Sequence, residues 1–110
     1  MQVTHSQEGN ITILHLEGKF NANAVSSVKK KVNQLIAENY VLLIFDYSKV
    51  DFVDSSGLGC MLSCLNLLKS KNGNLKVAGM SVKVRSVFEL IQMHKIFESF
   101  ETTTDALQGY

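Results

Sequence analysis

The chain has 110 residues and a mass of 12.2 kDa, room for one domain that buries about 60–70% of the surface its unfolded form exposes. Its 45% hydrophobic and 19% charged content is that of a globular protein, and a net charge of +1 excludes strong nonspecific attraction to nucleic acid or anionic membrane. No apolar run approaches the roughly 20 residues of a membrane span, no signal-peptide pattern is present, and two cysteines cannot frame a disulfide scaffold, so residues 1–110 are expected to form one soluble cytoplasmic domain, a monomer.

Residues 2–7 read as a mostly polar strand of the kind that suits a sheet edge. Glu8-Gly9-Asn10 is turn chemistry, and 11–17 (ITILHLE) is a second strand, predicting an antiparallel hairpin. Gly18 is expected to break that strand, and Asn21 or Asn23 to cap a first helix. Ala22, Val25, Val28, Val32, Leu35 and Ile36 mark its apolar face, and Lys29, Lys30, Lys31 and Asn33 its solvated one. The apolar run 41–46 (VLLIFD) predicts an internal strand, followed by a short connection.

A second helix is expected from the segment Phe52–Gly57 to about Lys69. It is apolar nearly all round, interrupted in its middle only by Ser63 and Asn66, so it must be deeply buried or covered in part by a partner. Lys71–Asn74 forms a turn, 75–79 (LKVAG) a strand, and Ser81 caps a third helix with Val84, Val87, Phe88 and Ile91 facing inward. Phe97–Phe100 reads as a last short strand, and Thr103 or Thr104 as the cap of a terminal helix around Ala106 and Leu107. The alternation predicts an α/β domain: a mixed sheet of four or five strands, opened by the hairpin and packed by about four helices.

Function concentrates in Asp54-Ser55-Ser56-Gly57-Leu58-Gly59, where an apolar helix begins. Free N–H groups and the positive end of the helix dipole favour anions there. A serine in this place can be a nucleophile, a phosphate acceptor or a cap; Asp54 or Ser55 can cap the helix, and Asp54 can instead orient the Ser56 hydroxyl. Gly57-Leu58-Gly59 lacks the third small residue of a dinucleotide fingerprint, and no G-x-x-x-x-G-K-[ST] loop occurs. Ser56 lacks the first glycine of a nucleophile elbow, and no pattern joins it to His5, His15 or His94. Cys60 and Cys64 share a helix face without a C-x-x-C motif and read as buried thiols, not metal ligands.

In this order and length, these residues resemble the bacterial anti-sigma factor antagonists built on the STAS domain. The likeness covers nearly the whole chain and is most specific from Val41 to Leu62 (VLLIFDYSKVDFVDSSGLGCML), where an apolar strand ends in Asp46 and the turn Asp54–Gly59 follows. Leu16-Glu17-Gly18 and Val84–Phe97 also line up. The resemblance implies that Ser56 is a phosphoacceptor, with Asp54, Ser55, Gly57, Leu58, Gly59, Asp46 and Asn21 as its support or partner surface. The unmodified form would bind an anti-sigma factor that is itself a serine kinase, releasing a sigma factor. Phosphorylation of Ser56 would switch it off, and a PP2C-type phosphatase would restore it. On this reading the chain is not an enzyme and holds no cofactor or metal; ATP and magnesium belong to the kinase. The same domain could alternatively regulate a phosphatase, a signalling complex or a transport assembly. Three positions depart from the family pattern: Asn21 and His94 stand where acids are common, and Gln92 where glycine is usual.

Overall fold

A computed structural model describes all residues, Met1–Tyr110. The hairpin forms from β1 (Gln2–Glu8) and β2 (Ile11–Phe20), antiparallel, with Gly9 at φ +63° in the turn. Then come α1 (Ala22–Ala37), β3 (Leu42–Val53), α2 (Ser55–Ser70), β4 (Asn74–Ala78) and α3 (Val82–Leu90). A 3-10 turn (Met93–Lys95), β5 (Ser99–Phe100) and α4 (Thr103–Gln108) complete the chain. The sheet order is β1-β2-β3-β4-β5, with every pairing after the hairpin parallel. This is the expected α/β architecture at the five-stranded limit. The accessible surface, 5885 Å², is that of a well-folded chain of this mass.

The sheet has two unlike faces. One packs against α1, α2 and α3 over the main core, in which Phe20, Tyr47, Phe88 and Phe97 form a chain of tilted and edge-on rings about 6 Å apart. Tyr47 is fully buried, and its hydroxyl donates to the Met61 sulfur. Burial pushes its pKa up, so the ring stays neutral. The other face carries a small cluster, Ile13, Ile44, Ala78 and Ala106, which α4 covers. Beside α4 the Lys76 ammonium is buried, donates to the Gly109 carbonyl and lies 4.2 Å from the Tyr110 ring centroid.

Several boundaries differ from the sequence expectation for identifiable reasons. Gly18 does not end β2; it sits inside the strand at φ +111°, beside shifts in the pairing with β3. The strand runs on to Phe20, whose ring fills the core. β3 does not end at Asp46 either. His15 faces Asp46 but Glu17 faces Lys49, and Gly18 faces Val50 but Lys19 faces Phe52. Each step adds one residue to β3, so its buried positions change spacing from Leu43, Phe45 and Tyr47 to Val50 and Val53. Two bulges thus hide the alternation by which a strand is read.

In α1, Ala24 rather than Ala22 is buried. At the end of α3, Ile91 is exposed, because the helix stops at Leu90 and Ile91 is its C-cap. Phe97 is buried but lies outside β5. Thr102, not Thr103 or Thr104, caps α4 by accepting from the Asp105 N–H at 3.1 Å. Gln92 has φ +62° and ψ +24°. The other non-glycine residues with positive φ, Asn39 and Asn72, are of the type that tolerates it. Gln92→Gly is therefore expected to stabilise the protein by about 0.5–1 kcal/mol, read as a raised urea midpoint at unchanged slope. An unchanged midpoint would show that the turn carries no strain.

Candidate functional site

β2 and β3 end together: Phe20 pairs with Val53, and Asn21 and Asp54 follow directly. Paired strands lie about 4.8 Å apart, so α1 and α2 start side by side at the C-terminal ends of these two interior strands. Asn21 caps α1, its side chain accepting from the Asn23 N–H at 3.1 Å. Asp54 caps α2, with Oδ1 accepting from the Gly57 N–H at 3.1 Å. Of the two jobs open to Asp54, this geometry shows capping. No loop precedes the helix; Asp54 alone links β3 to α2.

Ser55 is exposed and Ser56 half-buried in the first turn of α2. Since Asp54 takes the Gly57 N–H, the N–H groups of Ser55 and Ser56 remain for an incoming anion. The two glycines part company. Gly57 is buried, and a Cβ there would stand 2.3 Å from the Phe20 carbonyl oxygen. Gly59 is exposed, and a Cβ there would have nothing within 4 Å. Leu58 is buried. Asp54→Ala is expected to cost about 1 kcal/mol through loss of the cap, seen as a melting temperature about 4–8 °C lower. A smaller change than about 1 °C would mean that water replaces the carboxylate without loss.

The cap region borders a groove of about 340 Å³ between α2 and α3, lined by Leu58, Leu62, Val87, Ile91 and Met93 with Asp54, Ser55 and Gly59 at its rim. Most of the apolar helix is thus accounted for in two parts, while Leu67 stays exposed beside α1. Gly57, Leu58, Cys60, Met61, Cys64, Leu65 and Leu68 are buried, and the half-buried Leu62 faces the groove. Both cysteines are free thiols. Exposed Val82, Leu90 and Ile96 add apolar surface on and just after α3, which the sequence reading did not single out.

Asp46 is not part of this site. Its Oδ1 accepts from the Ser48 N–H at 3.0 Å and its Oδ2 from His15 Nδ1 at 2.9 Å, on the sheet face away from α2. Burial works to raise its pKa, but the Ser48 backbone N–H and the hydrogen bonds from His15 and Ser48 outweigh it, and the carboxyl titrates below the usual aspartate range. The support that Asp46 was expected to lend the turn around Ser56 is absent; its hydrogen bonds hold the first bulge of β3 and the imidazole. No group of three or more His, Cys, Asp or Glu side chains is placed to hold a metal ion.

A mixed five-stranded sheet with an opening hairpin and an Asp-capped, apolar second helix whose first turn is Ser-Ser-Gly define one class of protein. The chain belongs to the STAS domain family, whose pattern matches residues 2–106. It is 26% identical over 107 residues to the anti-sigma-F factor antagonist RsfB of Mycobacterium tuberculosis, across 97% of this chain and 87% of the relative. Its fold is also that of a candidate anti-sigma factor antagonist from Thermotoga maritima, with a TM-score of 0.91 at 21% identity over 97% of this chain and 92% of that one. Bacillus SpoIIAA in its phosphorylated form superposes with a TM-score of 0.75 at 20% identity over 97% of each chain.

Proposed function

We propose that this protein is an anti-sigma factor antagonist whose docking is controlled at Ser56. The unphosphorylated form binds an anti-sigma factor with serine kinase activity and so releases a sigma factor. That kinase phosphorylates Ser56 and ends the interaction, and a PP2C-type phosphatase reverses the modification. The chain acts in the cytoplasm, with residues 1–110 as one regulatory STAS unit that performs no catalysis in this cycle. No helix is long and apolar enough to cross a membrane.

The observation that carries the reading is the place of Ser56: a half-buried hydroxyl in the first turn of α2, where two helix N-termini meet beside an apolar groove. A phosphate there adds about −1.5 to −2 charges and moves the net charge from +1 to about −0.5 to −1. So small a global change must act locally. A standard interface takes about 800 Å² from each partner, roughly a seventh of the 5885 Å² this chain exposes, and the groove with the α2 start lies at the centre of such a patch. The RsfB relative is called an antagonist of an anti-sigma factor and aligns over almost the whole chain, which supports this reading over a non-sigma target.

The test is to incubate the protein with its cognate anti-sigma factor, ATP and magnesium and to map the product by mass spectrometry. One phosphate on Ser56, absent from Ser56→Ala, is the expected result. A phosphate on Ser55 or elsewhere, with Ser56 unmodified, would overturn the assignment.

A further inference from the structure

The face of the sheet opposite α1–α3 carries a second arrangement of reactive groups, unconnected with Ser56. Strand alternation places Ser6 of β1, His15 of β2 and Asp46 of β3 on this face, in the region α4 leaves open. They form one hydrogen-bonded line. Asp46 Oδ2 lies 2.9 Å from His15 Nδ1, and His15 Nε2 lies 2.9 Å from Ser6 Oγ. The order is that of an acyl-transfer triad: carboxylate to Nδ1, Nε2 to hydroxyl. Asp46 is itself anchored by the Ser48 N–H and is mostly shielded, its side chain 15% exposed, whereas His15 is 41% exposed. An ionised carboxylate at Nδ1 fixes the tautomer in which Nε2 accepts, so the Ser6 hydroxyl donates to it.

From this geometry we infer that Ser6 is an activated nucleophile that accepts short acyl groups from activated acyl donors, such as aryl esters. Ser6 Oγ attacks the carbonyl carbon as His15 Nε2 takes the hydroxyl proton. The tetrahedral adduct then expels the alkoxide or aryloxide, which leaves with the proton from His15, and an O-acylserine remains. Asp46 is a positioning residue: it orients the imidazole and stabilises its cationic form. A polar pocket of about 200 Å³ borders the His15–Asp46 end of this line, walled by Thr4, His15, Glu17, Asp46 and Lys49, while Ser6 stands outside it on the open strand. The charged groups facing His15 are Asp46 and Lys49 from β3 and Glu17 from β2; those walls of the pocket that belong to β1, Gln2 and Thr4, are uncharged. Ser6 is on an exposed edge strand, so a donor reaches it without any rearrangement.

The experiment uses the full chain with p-nitrophenyl acetate, following p-nitrophenolate release and mapping the adduct by mass spectrometry. The expected result is one acetyl group per chain, on Ser6, with a rate that rises with pH. Ser6→Ala removes that adduct, while His15→Ala and Asp46→Asn each slow its formation about 100-fold or more. Asp46→Asn also displaces the pH profile, which a merely structural role of Asp46 would not do. Circular dichroism of each variant checks that the fold is kept, and Ser56→Ala, acetylated at the parent rate, separates this site from the proposed phosphosite. Acetylation confined to lysines, or Ser6 labelled equally fast in folded His15→Ala, overturns the inference.

Discussion

Ser56→Asp is expected to weaken binding to the anti-sigma factor by about 100-fold or more while the isolated domain stays folded. The two effects separate because they act on different states. In the free protein, a carboxylate at the start of α2 meets the unused N–H groups of Ser55 and residue 56 and the positive end of the dipole, worth about 0.3–1 kcal/mol. The neighbouring Asp54 carboxylate opposes this, but its Oδ1 is already held by the Gly57 N–H. The melting temperature should therefore move by no more than a few degrees. In the complex, the same charge is desolvated against the partner, at a cost of a few kcal/mol, and each 1.4 kcal/mol is about tenfold in affinity. Titration calorimetry against the partner, beside a thermal melt, reads both quantities. Unchanged affinity in a folded Ser56→Asp variant would remove charge as the basis of the switch.

Gly57→Ala and Gly59→Ala are expected to have opposite effects, although both positions lie in the first two turns of one helix. At Gly57 an added methyl would stand 2.3 Å from the Phe20 carbonyl oxygen and 3.0 Å from both Phe20 Cγ and Val53 Cγ2. The carbonyl cannot simply withdraw, since it accepts the Asp54 N–H at 3.3 Å and so joins the end of β2 to the start of α2. Overpacking of this kind costs about 3 kcal/mol, helix propensity returns about 1, and the net loss of about 2 kcal/mol should lower the melting temperature by about 10 °C. The shift also separates the two helix starts, so phosphorylation of Ser56 should slow in parallel. At Gly59 the methyl meets nothing, and Gly59→Ala should be neutral or stabilising by up to about 1 kcal/mol. Because Gly59 is on the rim of the groove, its substitution should still reduce partner binding. A Gly57→Ala variant as stable as the parent would show that α2 can slide on the sheet. Gly59→Ala with full partner affinity would place the docking surface elsewhere.

The site was legible because its signals are local. Asp54 caps through a bond to a backbone group three residues on, and Asn21 and Ser81 do the same at two and three residues. Such bonds depend on residue type and short spacing alone, so the starts of α1, α2 and α3 can be read without a fold. The apolar spacing of α1 and the unbroken run opening β3 likewise follow from which side chains water excludes. Where local chemistry was ambiguous, as among Thr102, Thr103 and Thr104, the expectation missed by a residue or two.

What the amino-acid order determined by itself was therefore the sequence of elements, the caps and the segment that bears Ser56. The tertiary structure alone decided how these pieces meet. Parallel pairing of Phe20 with Val53 puts Asn21 beside Asp54, and two added residues in β3 carry the strand past Asp46. Pairing across strands joins Asp46 to His15, 31 positions earlier, and His15 to Ser6, nine earlier still. Gly57 and Gly59 differ only in what the rest of the chain brings against them. Strand register and close approach are set by cross-strand hydrogen bonding and core packing among residues distant in the chain, and short spacing carries no record of either.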